Sequence, residues 1–162
     1  LSGSLPVRNI FFRYIIISSL RVDDQDGLQF MFLRTLNDDQ KRALWVLAYH
    51  LVVSDHNVSL KEGELMDELT NGLRTDIPVL PQQLVERPSV EAFDTRESRV
   101  AVMLEILTVA LGDNMFPDAE SKLVKDLASE LGFGNEAFEE LRSWAERNST
   151  LLDEAQKIMA RS

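Results

Sequence analysis

A stretch of 15 residues in this chain returns 58 positions later. Asp55 to Leu69, DHNVSLKEGELMDEL, aligns with Asp113 to Leu127, DNMFPDAESKLVKDL. Asp55 pairs with Asp113, Val58 with Phe116, Ser59 with Pro117 and Glu62 with Glu120. Leu65 and Met66 pair with Leu123 and Val124, and Leu69 with Leu127. Each copy follows a long apolar run, Leu44–Val53 and Val100–Leu111. Apolar residues at three- and four-residue spacing mark one buried face of a helix. The unit is therefore helix, acidic loop, helix, used twice.

At 162 residues the chain is expected to form one domain with room for a single sizeable core. The absence of cysteine excludes disulfides, thiolate metal sites and cysteine nucleophiles. Two histidines, His50 and His56, leave little room for a His-rich zinc site or a Ser/His/Asp triad. The net charge is −10, and the Lys and Arg residues are scattered. Such a surface repels a phosphate backbone, so no nucleic-acid binding is expected. It suits a cation or a basic partner, and equally serves plain solubility.

Along the chain, LSGS at the start reads as a linker remnant of a fragment or processed form. Residues 1–31 form an N-terminal extension with an apolar segment at 10–20 and an acidic turn at 23–27. Ile10, Phe11, Tyr14, Ile17 and Leu20 fit one helical face, whereas the isoleucine run favours strand; helix is preferred in an otherwise helical chain. With Arg13 inside it, the segment is too short to cross a membrane, so no membrane insertion is expected. It offers a surface for a protein partner or a homodimer. Asp23–Gly27 fails as an EF-hand loop, because Val22 and Leu33 stand where Asp and Glu are needed.

A short helix is expected near Leu28–Leu36, then a long one capped by Asn37 or Asp38 and running to about Ser54, with His50 as a partly buried packing residue. Ser59 and Glu62 form a capping box that opens a helix ending near Gly72. Thr75–Ser89 holds three of the five prolines and is a linker with one helical turn at Gln82–Glu86. Asp94 or Thr95 caps a central helix ending at Gly112, buried around most of its circumference. Glu105 interrupts its apolar run, and either emerges at the surface or is a buried carboxylate with a partner. Helices are then expected at about Pro117–Leu131, Asn135–Arg147 and Thr150–Ala160. The prediction is an all-α, single-domain bundle of seven or eight helices, built from two similar helical hairpins around a buried central helix.

With both copies set side by side, the chain resembles the tellurite-resistance TerB family, a domain also found in DnaJ-like membrane proteins. Ala48–Leu69 and Leu107–Gly132 carry the resemblance, in the pattern apolar helix, D-x-x-[apolar]-[S/P]-x-x-E-x-x-L. Family members usually have Gly after the Asp, where this chain has His56 and Asn114. The TerB-like domain is expected at 32–148, with repeats near 44–72 and 100–132, and a C-terminal helix at 149–162 packing on it. The resemblance implies an all-α cytoplasmic domain associated with tellurite and other chemical stress and phage resistance, with suspected metal binding and no catalytic activity. On its acidic pattern the matching positions are Asp55, Glu62, Asp113 and Glu120.

Each of these acids has a structural explanation, since it sits near the positive end of a helix, a placement worth about 0.3–1 kcal/mol. If the two hairpins pack about a pseudo-two-fold axis, the four carboxylates converge and repel one another unless a proton or a cation intervenes. Oxygen ligands favour Ca, Mg or Mn, and His56 adds a nitrogen that admits Zn. Neither histidine has the Glu-x-x-His spacing of di-iron bundles, and GFGN at 132–135 is a helix stop rather than a phosphate loop, so no enzyme is expected. Two functions remain: a non-catalytic interaction module, and a divalent-cation protein using Asp55, Glu62, Asp113, Glu120 and His56.

Overall fold

Two N-caps 58 residues apart set the frame of the bundle. In the computed structural model, which describes residues 30–54, 60–73, 81–86, 89–112 and 118–161, Asn37 caps the first helix, α1 (Asp38–Val52). The Asn37 side chain accepts from the Gln40 N–H at 2.9 Å, and Gln40 Oε1 accepts from the Asn37 N–H at 3.0 Å. After α2 (Leu60–Leu73) and the single-turn α3 (Pro81–Val85), Thr95 caps the central helix α4 (Arg96–Ala110) by the same reciprocal device with Ser98. Both boxes satisfy amide groups that the first helical turn leaves without an intrahelical partner. The helices α5 (Asp118–Glu130) and α6 (Asn135–Met159) complete the bundle, and a 3-10 turn at Leu33–Thr35 precedes α1.

The repeat is longer in space than in sequence. The ends of α1 and α4 fall 58 positions apart, α2 and α5 begin 58 apart, and their last residues keep that spacing to within one. The contacts have the same symmetry: α1 packs on α4, each packs on the second helix of its own hairpin, and each also packs on the second helix of the other. Exchanging the hairpins leaves this pattern unchanged. Gln40 is buried, and its Nε2 donates to the Ala92 carbonyl at 3.0 Å and to Asp94 Oδ1 at 3.3 Å. The starts of α1 and α4 are thereby tied together, so both helices leave the same end of the bundle.

As expected, α4 is central. Every residue from Ala101 to Leu107 is buried, and the helix meets α1, α2, α5, α6 and the 3-10 turn. A helix covered on all sides needs apolar residues on all sides, which is what its sequence supplies. The core continues through Leu44, Ala48 and Leu51 of α1, Leu65, Leu69 and Leu73 of α2, and Val124, Ala128 and Leu131 of α5 and the turn after it.

Several expectations need correction. The described residues hold five long helices, one single-turn helix and one 3-10 turn, fewer than the seven or eight helices foreseen. The short helix expected near Leu28–Leu36 is the 3-10 turn; its first two residues, like the 8–22 segment, lie outside the described residues. The two helices expected after Gly132 are one, because α6 runs unbroken through Asn148, Ser149 and Thr150. These cap-forming residue types suggested a break, but the Thr150 hydroxyl donates to the Glu146 carbonyl one turn back, which satisfies it inside a continuous helix. The box at Ser59 and the Pro117 turn lie outside the described residues. Among the described residues no helix is long and apolar enough to cross a membrane.

Candidate functional site

A groove opens between α4 and α6. Its volume is about 350 Å³. Arg96, Val100 and Leu104 form one side, and Ala137, Glu140, Leu141, Trp144 and Arg147 the other. Residues early in α4 face residues early in α6, while Thr108 and Gly112 meet Asn148 and Leu152 further along, so the two helices run in the same direction. Two pieces from outside these helices close the ends, Phe133 and Phe32.

Phe133 is placed by the turn that ends α5. Gly132 takes a positive φ of 85°, its N–H donates to the Ser129 carbonyl, and the Phe133 N–H donates to the Ala128 carbonyl. These are the two bonds of a Schellman motif, which demands a residue at ease with left-handed backbone and carries an apolar residue directly after it. Phe32 is held from two sides. Its ring meets Trp144 edge-on, with centroids 5.6 Å apart, and its backbone N–H donates to Glu105 Oε1 at 2.6 Å.

Glu105 is the unusual group of the core. It is 1% exposed, and its Oε2 is buried with no hydrogen-bond partner among the described residues. Burial pushes its carboxyl up to about 8, with the Phe32 N–H pulling the other way. Near neutral pH it therefore carries its proton. The equivalent position in the first hairpin, 58 residues earlier, holds Leu47, also buried. Of the two alternatives open for Glu105, the buried carboxyl with a partner is the one realised. The partner is a backbone amide, and it fastens the wall of the groove to the central helix.

The residues singled out in sequence stand differently. Asp55, His56 and Asp113 lie outside the described residues. Glu62 belongs to α2 and Glu120 to α5, in both cases with the side chain outside what is described. Among the described residues no group of three or more His, Cys, Asp or Glu is placed to hold a metal ion. One close approach joins the two hairpins. A Cβ at Gly112, the residue before the second loop, would collide with Leu65 Cδ1, in the second turn of the helix that follows the first loop. His50 is half-buried and packs edge-on to Tyr49, which stacks on Trp45, in keeping with a packing role.

The groove was not anticipated. Its signal in the sequence was slight: Trp144 and Leu141 looked like ordinary inward-facing residues, and Phe32 lay at the edge of the extension. Comparison of the chain with models of known families, with curated proteins and with solved structures finds no match.

Proposed function

We propose that this chain is a TerB-like, cytoplasmic, non-catalytic interaction module of chemical-stress responses, and that the groove between α4 and α6 is its docking surface. The observation that carries the reading is an apolar channel with three aromatic walls, Phe32, Phe133 and Trp144, flanked by Arg96 and Arg147 in a chain of net charge −10. Aromatic and arginine side chains are the anchors that most often carry binding energy at protein interfaces. A groove between two parallel helices, mostly apolar and holding two arginines against one glutamate, Glu140, suits an amphipathic segment with apolar anchors at helical spacing and acidic flanks. Titration with a synthetic acidic amphipathic helical peptide, followed by tryptophan fluorescence, tests this. Saturable binding tighter than about 100 μM, roughly 5.5 kcal/mol, is expected. It should weaken at least tenfold in an Arg96→Glu, Arg147→Glu double variant. Binding indifferent to that charge reversal would place the docking surface elsewhere.

A second reading is favoured by the Gly112–Leu65 approach, which brings the residue before one acidic loop next to the helix after the other. On this reading Asp55, Glu62, Asp113 and Glu120, with His56, bind a divalent cation, Ca, Mg, Mn or Zn. Calorimetric titration with each ion is expected to give saturable binding that both Asp55→Asn and Asp113→Asn abolish. An affinity no tighter than about millimolar, roughly 4 kcal/mol, would remove the reading.

A further inference from the structure

The groove lies directly downstream of a long piece of chain with the composition to fill it. The described residues begin at Phe30, and Phe32 is already part of the groove wall, pinned by Glu105 and Trp144. Upstream of this anchor, Ile10, Phe11, Tyr14, Ile17 and Leu20 recur at helical spacing, and Asp23, Asp24 and Asp26 follow them. The order along the chain is an apolar face and then three acids, matching a groove whose lining is mostly apolar and holds Arg96 and Arg147 against a single acid, Glu140.

Reach is no obstacle. The part of α6 that lines the groove, Ala137 to Arg147, spans about 15 Å at helical rise. The connection from Leu20 to Phe32 extends up to roughly 40 Å. A segment tethered at this distance meets the groove at an effective concentration in the millimolar range, far above that of a free partner.

We propose that the chain's own segment from Ile10 to Leu20 docks in the groove between α4 and α6, so that an incoming partner must displace it. This rests on the groove being a docking surface, and it adds an autoinhibitory regulation of that surface. The bound partner then competes with a tethered rival, and its apparent affinity falls by the fraction of molecules in which the groove is free.

The absence of native cysteine makes the test direct. Cysteine is introduced at Ala137 in the groove and, in separate full-length variants, at Ile10, Tyr14 or Ile17; the control pairs the same segment positions with Leu123→Cys on exposed α5. Under mild oxidation at least one segment position is expected to cross-link to position 137 within a single chain, at ten times the control yield or more, independent of protein concentration. Cross-links only between chains, rising with concentration, would overturn the proposal in favour of a second copy. Cross-linking no better than the control would overturn docking altogether. In parallel, Phe11→Asp with Ile17→Asp should tighten binding of the acidic amphipathic peptide at least tenfold. Unchanged peptide affinity in that variant sinks the cis segment while leaving the groove standing as a docking surface. A peptide that binds neither protein removes the groove reading itself.

Discussion

Glu105→Gln is expected to remove most of the loss of stability that the protein undergoes between pH 5 and pH 8. In the unfolded chain the carboxyl ionises near its ordinary 4.5, whereas in the folded chain burial holds the proton until about 8. Between these values the native state binds more protons than the unfolded state, so stability is full below about 4.5 and drains away as pH rises through 8. At about 1.36 kcal/mol per pH unit, the window amounts to roughly 3–5 kcal/mol, a large share of the 5–15 kcal/mol typical of a domain. Glutamine keeps an oxygen for the Phe32 N–H and cannot ionise. Urea unfolding at pH 5, 6.5 and 8 measures the effect, and equal slopes for the wild type and the glutamine variant would show that Glu105 is not its source. Glu105→Leu should flatten the same window, because it too removes the titrating group. It leaves the half-buried Phe32 amide without its carboxyl acceptor, a penalty of about 1 kcal/mol relative to glutamine. That variant should also free Phe32 from Trp144 and weaken peptide binding in the groove.

The second large effect separates two residues that the repeat makes equivalent. Leu65→Ala should cost about 2–5 kcal/mol, because Leu65 is 1% exposed and packs closely against Gly112, which has no side chain to fill the space it leaves. Leu123→Ala, 58 positions on, should change stability by no more than about 0.5 kcal/mol, because that side chain is 44% exposed. Parallel denaturant titrations decide it. Equal losses at the two sites would mean that the hairpins bury their second helices alike, contrary to the exposure of Leu123.

The same pair shows how far the fold was legible in advance. The spacing of Leu65, Met66 and Leu69, and of Leu123, Val124 and Leu127, identified two helices, because periodicity is a property of the backbone and needs no knowledge of neighbours. It placed the inward face of the first correctly, whereas in the second Val124 is buried and Leu123 is exposed. The caps were legible to within one residue, as Asn37 or Asp38 and as Asp94 or Thr95, because a cap is made within a single turn; the structure selects Asn37 and Thr95. The helix count was misjudged at Asn148–Thr150, where a choice between cap and continuation depends on what lies alongside. There the Thr150 hydroxyl is satisfied by the Glu146 carbonyl one turn back, and the helix continues.

The candidate site was less legible than the fold. Its aromatic wall draws on Phe32, Phe133 and Trp144, which come from three separate parts of the chain. Glu105 stood out as an acid within an apolar run, but the amide it would meet lies 73 residues away.

By itself, then, the sequence determined that the described part of this protein is helical, that it uses one hairpin design twice, and where most of its helices start. Those features follow from hydrogen bonds and side-chain spacing within a few residues. Only the tertiary structure decided that Leu65 is buried while Leu123 is not, that Glu105 holds a proton against Phe32 where Leu47 merely packs, and that α4 and α6 leave a groove between them. Burial, proton affinity and cavities are set by what packs against a residue from elsewhere in the chain, and a repeat in sequence does not make those neighbours equal.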